Sequence, residues 1–162
     1  MTHPQVKELL VELLLKDKKM REDSLESPAE WNGKIDIENT KILKQIILKY
    51  GWPTISMVGE EASNAAWVIA QHADHDISFQ KLCLTLLKQE DRRDINIRNI
   101  AYLEDRIRIA ENRPQLYGTQ FDDADNFRPK SIEDSANLDS RREHMGLEPF
   151  DEYAESMKRL FG

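Results

Sequence analysis

The sequence predicts an all-α protein, an irregular bundle of about six to seven helices with a short β-hairpin or flap near residues 115–130. Apolar residues recur three and four positions apart through most of the chain, which is the spacing of one helix face. Glycine and proline interrupt that pattern, and only one short segment has the aromatic and β-branched character of strands. We therefore expect a single helical domain over residues 1–162.

Composition and charge disfavour several classes of protein. The formal net charge is -7, and acidic residues interrupt every short basic run, so we expect no nucleic-acid partner. The longest apolar runs fall well short of the roughly 20 residues that span a bilayer, so we expect no membrane partner. The single cysteine, Cys83, lies in an apolar run and reads as a buried small hydrophobe rather than a nucleophile. A reducing, cytoplasmic location is the expected default.

The first elements form an N-terminal extension. Residues 4–20 carry a helical stripe of leucine and valine, and residues 22–35 contain Pro28 and Gly33, which predict a loop. Lys7 is among the charges that interrupt the leucines, so the segment does not read as a signal peptide.

The second helix is predicted over 37–50, with Asp36 as its N-cap and Gly51 as its stop. Residues 52–58 form a connector that Gly59 ends. Three further helices are predicted over 59–73, 77–90 and 95–112. The first of these is rich in alanine, so another helix can approach it closely, and we expect it to be central.

After Pro114 the character of the chain changes. The segment "QLYGTQF" (115–121) predicts a hairpin or an extended flap, and Gly118 within it predicts a tight bend or a close approach of backbone. A short helix follows, with Asn137 as N-cap and Gly146 after its end, and a last helix lies within 148–161.

His72 is the first candidate for chemistry, because it shares a helix stripe with apolar residues and its ring must find partners there. Two interpretations stay open. It is a satisfied core histidine at a helix end, or a general base or metal ligand that lines a cleft. Asp74 is the second candidate in the same "QHADHD" stretch, where it could bend the turn or pair with an arginine. Asp76 reads as the N-cap of the next helix, and His75 as a solvent-exposed residue.

The same stretch is a weak metal motif. It lacks the i, i+4 spacing that puts two ligands on one helix face, so a site would need Asp105 or Glu60 in addition. We therefore expect no cofactor, and a divalent metal stays an open alternative.

Asp105 and Arg106 lie in "AYLEDRIRIA". Asp105 shares a face with apolar residues, so we expect it half-buried and paired, with an arginine or with His72. An ion pair between two helices is the plainer alternative.

The segments "QLYGTQF" and "DSRR" carry the candidate binding groups. Gln115, Tyr117, Thr119 and Gln120 offer neutral donors and acceptors that suit a polar ligand, or that tie a hairpin to the bundle. One of Arg141 and Arg142 could clamp a carboxylate or phosphate, and a surface ion pair with Asp134 or Glu143 is the alternative.

Together the motifs GWPT, QHAD, YGTQ and DxRR resemble an uncharacterised bacterial family known only as a domain of unknown function, over about residues 36–153. The family often has proline where Ile77 stands, which suits a first helical position after Asp76. The resemblance implies no activity, but it implies that polar residues define the family, which shifts weight toward a functional His72. Its motif residues fall on Gly51, Trp52, Pro53, Gln71, His72, Asp74, Asp105, Arg106, Tyr117, Gly118, Thr119, Gln120, Asp139, Arg141 and Arg142.

Three hypotheses follow. In the first, the protein binds a small polar or anionic ligand and is an enzyme with an unspecified reaction. His72, Asp74 and Asp105 would then be catalytic, with His72 as the acid or base and Asp105 or Asp74 as the group that holds it. The binding residues would be Trp52, Gln71, Arg106, Tyr117, Thr119, Gln120, Arg141 and Arg142. In the second, it is a non-catalytic module for a metabolite or a protein, with an exposed apolar patch of Trp31, Trp52 and Phe127. In the third, the polar motif residues form a structural network that fixes the segment 113–137.

Overall fold

The computed structural model describes residues 3–30, 32–122 and 127–161, and its chain divides into two compact units, Met1–Asn96 and Ile97–Gly162. This division does not test the expectation of a single domain over residues 1–162, which stays a prediction. The first unit contains a 3-10 turn, Pro28–Glu30, and five α-helices: α1 His3–Glu26, α2 Lys34–Tyr50, α3 Ile55–Val58, α4 Glu60–Gln71 and α5 Ile77–Gln89.

Helix α1 is longer than the apolar stripe predicts, because it continues to Glu26. Its last two turns are charged, and Lys, Arg and Glu are good helix formers in such positions. Ion pairs one turn apart, such as Lys19 with Asp23, support the extension. The predicted loop 22–35 is correspondingly short.

The start of α2 differs from the prediction at Asp36. The helix begins at Lys34 with Gly33 as its N-cap, and Asp36 lies in its first turn. The prediction of Asp36 as the N-cap was wrong, because Arg21 of α1 binds the Asp36 carboxylate instead. The other end is as expected, with Gly51 after Tyr50 at the stop of the helix.

Helix α4 is the centre of the first unit. Its alanines are fully buried, and among the described elements it forms its most extensive contact with α1. Small side chains allow this close approach of two helices, as the sequence predicts. Gly59 joins α4 to the short α3 with φ +85°, a conformation that other residues rarely adopt.

Helix α5 begins where the sequence predicts. The Asp76 carboxylate accepts a hydrogen bond from the Phe79 backbone N–H, which confirms the N-cap. Cys83 is fully buried on this helix, and burial raises the pKa of its thiol to about 12. The thiolate that a nucleophile needs is therefore disfavoured.

The second unit comprises three helices, α6 Arg98–Ala110, α7 Leu138–His144 and α8 Phe150–Phe161, with a 3-10 turn at Ser135–Asn137. Two short strands pair antiparallel, β1 Phe121–Asp122 with β2 Arg128–Pro129, in the register Phe121 with Pro129 and Asp122 with Arg128. The predicted N-cap Asn137 and the glycine after the helix end, Gly146, lie at those positions.

Gly118 has the close approach that its sequence context predicts. Its φ is +70°, and a Cβ there would lie 2.7 Å from Cε2 of Phe150, inside van der Waals contact. Only glycine fits this bend without strain.

The fold class is confirmed: the described residues form eight α-helices and one two-stranded antiparallel sheet. The helix beyond the predicted number is α3, which lies in the predicted connector. Within the described part of the chain, no helix has both the length and the apolar character that crossing a membrane requires.

Candidate functional site

His72 ends α4 and lies against two other helices of the first unit. Its nearest polar partners are Asp17 and Arg21 on α1 and, through Arg21, Asp36 on α2. We call these four residues the His72 cluster. Three helices therefore contribute its charged groups, and each does so from a face that also packs the core.

The distances in the His72 cluster are those of charge-assisted hydrogen bonds. His72 Nδ1 lies 2.9 Å from Asp17 Oδ1. Arg21 Nε donates to Asp17 Oδ2 at 3.2 Å, and Arg21 Nη2 donates to Asp36 Oδ1 at 2.8 Å. The side chain of Asp17 is only 2% exposed and that of Asp36 11%, whereas those of His72 and Arg21 are 24% and 30% exposed. Buried carboxylates thus support two side chains that solvent can reach.

His72 Nδ1 has two neighbours of opposite kind. Asp17 Oδ1 can only accept, so it requires a proton on Nδ1, whereas Arg21 Nε, at 3.2 Å, can only donate, so it requires a lone pair there. When Nδ1 carries the proton it donates to Asp17, and Arg21 Nε then donates to the Asp17 carboxylate while Arg21 Nη2 stays bound to Asp36. Among the described residues, no hydrogen bond reaches Nε2.

The two carboxylates have pKa values shifted in opposite directions. Burial raises the pKa of Asp17, but the hydrogen bonds and charges of His72 and Arg21 outweigh it, and the net pKa is lowered. Burial raises the pKa of Asp36, and the opposing charge of Arg21 compensates only in part, so the net pKa is raised. Environments that separate two neighbouring carboxylates in this way recur in acid–base sites.

The same groups have the composition of a metal site. One ligand atom each from Asp17, Asp36 and His72 lies within 4.8 Å of the other two. Carboxylate oxygens and an imidazole nitrogen are ligands of divalent transition cations.

The other residues of the "QHAD" motif have structural partners. Asp74 is exposed, and its carboxylate accepts from Gln80 Nε2 at 3.2 Å. The same Gln80 amide donates to the backbone carbonyl of Gln71 at 3.0 Å. Gln71 is buried, and its Oε1 has no hydrogen-bond partner among the described residues. These contacts hold the turn that follows α4, and bending this turn is one of the two structural alternatives that the sequence leaves open for Asp74.

Asp105 is the centre of a second set of contacts, within the second unit. It is fully buried rather than half-buried, and its carboxylate accepts from the backbone N–H groups of Leu116, Tyr117 and Thr119 at 2.7–3.2 Å and from the Thr119 hydroxyl at 3.0 Å. Burial raises the pKa of Asp105, and these hydrogen bonds lower it only in part. Its partners are thus backbone groups of the "QLYGTQF" segment.

Arg141 and Arg142 bind backbone carbonyls in the same unit. Arg141 Nε donates to Leu116 O at 2.8 Å, and its Nη1 lies 3.6 Å from the Asp134 carboxylate, the ion pair foreseen as the plainer alternative. Arg142 is 0% exposed; it donates to Tyr117 O at 2.5 Å and lies 4.8 Å from the centre of the Tyr153 ring. Desolvation lowers the pKa of the Arg142 guanidinium.

Gln115 and Gln120 complete this set. Gln115 Nε2 donates to the carbonyls of Gln120 and Lys130, each at 2.9 Å, and Gln115 Oε1 accepts from the Gln120 backbone N–H at 2.8 Å. We call the set the Asp105 network; its side chains are those of Asp105, Gln115, Thr119, Arg141 and Arg142. It ties the "QLYGTQF" segment to α6 and α7.

The predicted apolar patch is not exposed at Trp52. Trp52 is buried in the core of the first unit, so its assignment to a docking surface was wrong. Phe127 is partly buried and stacks on Phe121, and Trp31 lies outside the described residues. Arg106 is partly exposed on α6, next to Asp105.

Two cavities of the first unit adjoin α2, the helix that carries Asp36. An apolar groove of about 680 Å³ between α2 and α5 is lined by Phe79, Leu82 and Leu48, with Lys44 and Asp76 paired at its edge. A smaller cleft of about 250 Å³ is lined by residues that adjoin the cluster in sequence, including Met20 and Ile35.

Sequence reasoning missed Asp17, Arg21 and Asp36. A signal for the first two was present, because Asp17 follows Leu13 by one helical turn and precedes Arg21 by one turn, so the apolar stripe of α1 continues as an ion pair. Asp36 gave no such signal, since its position matched that of a helix cap.

Comparison with known proteins agrees with the resemblance. No curated protein and no solved structure matches the chain. A family model covers residues 19–162, which includes Arg21, Asp36, His72 and the whole Asp105 network and begins two residues after Asp17. The chain therefore belongs to this family of unknown function (DUF6624).

Proposed function

We propose that the protein binds a small polar molecule and acts on it by proton transfer at His72. One observation carries the proposal: Nδ1 of a solvent-accessible His72 lies 2.9 Å from the carboxylate of the buried Asp17. A carboxylate in that position fixes the orientation and the tautomer of an imidazole, and the other ring nitrogen then carries the lone pair.

Asp17 is suited to this role because it stays ionised. Its net pKa is lowered by His72 and Arg21, which outweigh the effect of burial. Arg21 is a positioning residue here, since its guanidinium holds Asp17 and Asp36 together. With the Nδ1–H group donating to Asp17, Nε2 of His72 is the atom that would take a proton from a bound molecule.

The two neighbours of Nδ1, the acceptor Asp17 Oδ1 and the donor Arg21 Nε, also bear on the second tautomer of His72. When Nε2 carries the proton in the neutral ring, Nδ1 can accept from Arg21 Nε at 3.2 Å instead of donating to Asp17. That tautomer also places the Nδ1 lone pair against Asp17 Oδ1 at 2.9 Å, so the tautomer with the proton on Nδ1 is favoured. Such a histidine can serve as a base in one step and as an acid in another.

The charge of the His72 cluster favours a neutral or cationic ligand. Two carboxylates and one guanidinium leave it with a net charge of −1 while His72 is neutral. The anionic ligand expected from Arg141 and Arg142 has less support, because both guanidinium groups bind backbone carbonyls.

For the Asp105 network we propose the structural role. Its side chains bind backbone N–H and carbonyl groups at short distances, which fixes a loop conformation and occupies most of their donors and acceptors; the buried Nη2 of Arg142 has no partner among the described residues. Tyr117, Thr119 and Gln120 then belong to the scaffold rather than to a substrate site.

The test is nitrogen NMR of the imidazole rings in chelator-treated protein. We expect wild-type His72 to be predominantly the tautomer with the proton on Nδ1. Asp17→Asn should shift His72 toward the other tautomer, and His75, an exposed residue three positions away, should be unaffected by the variant. A His72 that has the same tautomer balance in wild type and in Asp17→Asn would refute the orienting role of Asp17.

A screen of small polar amines, amides and alcohols by NMR then tests binding. Bound compounds should shift the signals of His72 and Arg21 in wild type, and His72→Gln should abolish the shifts while His75→Gln preserves them. Shifts that survive in His72→Gln would place ligand binding elsewhere in the chain.

A further inference from the structure

We propose that the His72 cluster also binds a divalent transition cation of the zinc class, with Asp17, Asp36 and His72 as protein ligands and Arg21 as the group that the metal displaces. The inference concerns the site of the proposed function but does not need it, because a metal can bind here whether or not His72 transfers protons.

The geometry is close to that of a metal centre. The three ligand atoms lie within 4.8 Å of one another and come from α1, α2 and the end of α4. Ligands about 2.1 Å from a tetrahedral zinc ion are roughly 3.4 Å apart. Rotations of the side chains would therefore have to shorten the longest of these separations to bring the three atoms onto one ion.

Arg21 provides the second observation, because its positively charged guanidinium is already bound by the three ligand groups. Its guanidinium nitrogens lie within hydrogen-bond distance of Asp17 Oδ1, Asp36 Oδ1 and His72 Nδ1, at 3.2, 2.8 and 3.2 Å. The three groups that would ligate a metal thus converge on a positive charge. The Arg21 side chain is 30% exposed and has a long flexible stem, so it can withdraw toward solvent.

The charge balance favours the exchange. One guanidinium leaves the two carboxylates of Asp17 and Asp36 with an excess of one negative charge. A divalent ion in place of Arg21 would neutralise both carboxylates. An imidazole beside two carboxylates suits zinc or manganese better than magnesium or calcium, which prefer oxygen ligands alone.

The test is thermal unfolding of chelator-treated protein with zinc, manganese or magnesium chloride, followed by calorimetric titration. At a hundredfold excess over Kd, zinc should raise the Tm of wild type by about 5–10 °C, and magnesium should have a smaller effect. His72→Gln and Asp36→Asn should each lose most of the rise, while His75→Gln, the matched exposed histidine, should keep it.

A fourth variant tests the displacement. Arg21→Gln removes the competing cation, so it should bind zinc at least several-fold more tightly than wild type. Unchanged or weaker zinc binding in Arg21→Gln would overturn the role of Arg21 as the displaced group.

Three results would overturn the site itself: no rise in wild type, a rise that persists in His72→Gln, or a rise only in Arg21→Gln. The last would mean that Arg21 is the permanent cation of the cluster. The tautomer experiment is performed with chelator, so no metal is bound in it. Its outcome therefore tests the proposed role of His72 in proton transfer independently of metal binding.

Discussion

The Asp105 network and the His72 cluster both surround a buried aspartate, but they use it differently. Asp105 accepts from backbone N–H groups and from one hydroxyl, all close to it in the fold of the second unit. Asp17 binds two ionisable side chains, one of them His72 at the end of another helix. One aspartate organises backbone, and the other organises side chains that can exchange protons.

In our proposals, this difference separates the structural Asp105 network from the site at His72. A backbone N–H cannot leave its acceptor without unfolding a loop, so the contacts of Asp105 have one arrangement. Side chains such as Arg21 and His72 can change rotamer or protonation state while the helices stay in place. Polar residues of a motif therefore do not all point to a role in catalysis. The groups that each side chain binds indicate whether its role is structural or chemical.

The largest expected effect is that of Asp105→Ala. The change leaves the N–H groups of Leu116, Tyr117 and Thr119 without their acceptor in a buried place, so we expect a loss of about 3–5 kcal/mol in the free energy of unfolding. Chemical denaturation measures it. Glu155→Ala, an exposed acid on α8, is the control and should change stability by less than about 0.5 kcal/mol. A loss below 1 kcal/mol in Asp105→Ala would contradict the structural role.

Gly118→Ala should have the next largest effect. The new Cβ would require a positive φ and would lie 2.7 Å from Cε2 of Phe150, so strain and overpacking add to an expected loss of about 2–4 kcal/mol. The same denaturation experiment measures the loss. The matched control is Gly51→Ala, which also has a positive φ but no atom within 4 Å of its Cβ position. Equal losses in the two variants would mean that backbone strain alone, and not the contact with Phe150, fixes the bend.

Asp17→Asn should have a moderate effect, about 1–3 kcal/mol at pH 7, because it weakens hydrogen bonds to two charged or polar partners. The folded-state pKa of Asp17 is lowered from 3.8, so its ionisation stabilises the fold fully above pH 3.8, and that stability is lost as pH falls through the folded value. The gap between wild type and variant, measured as Tm from pH 7 to pH 2, should therefore close in acid. A gap that is constant with pH would exclude the charge of Asp17 as its cause.

Asp36→Asn should have the smallest effect, and the opposite pH dependence. The folded-state pKa of Asp36 is raised from 3.8, so its ionised form is less favourable in the folded protein than in the unfolded chain. The folded protein therefore loses stability as the pH rises from 3.8 through the folded-state pKa. The Tm of Asp36→Asn relative to wild type should become more favourable between about pH 4 and pH 7. If the relative Tm falls over that range, the ion pair of Asp36 with Arg21 outweighs the cost of its burial.

Local structure could be predicted well from the sequence. The apolar spacing gave most helices, Asp76 was recognised as a cap, and Gly118 was recognised as a close bend. These features depend on residues within a few positions of one another. The errors in local structure also have local causes: α1 extends into Lys19–Glu26 because charged residues are good helix formers, and Asp36 is not a cap because a distant arginine binds it.

The candidate site could be predicted only in part. His72 was recognised from its place on an apolar stripe, but its expected partners Asp74 and Asp105 bind Gln80 and the "QLYGTQF" backbone. Its actual partner, Asp17, lies 55 residues away in sequence. Helix periodicity shows which face of a helix is buried, but not which residue of another helix meets it.

By itself, the sequence determined the all-α class, the positions of most helices and the polar residues that deserve a test, because periodicity, caps and turns act over one or two turns of chain. The tertiary structure alone decided that Asp105, Arg141 and Arg142 bind backbone, and that Asp17, Arg21, Asp36 and His72 bind one another. Those choices depend on how helices pack, since hydrogen bonds act over about 3 Å and only packing brings distant segments that close.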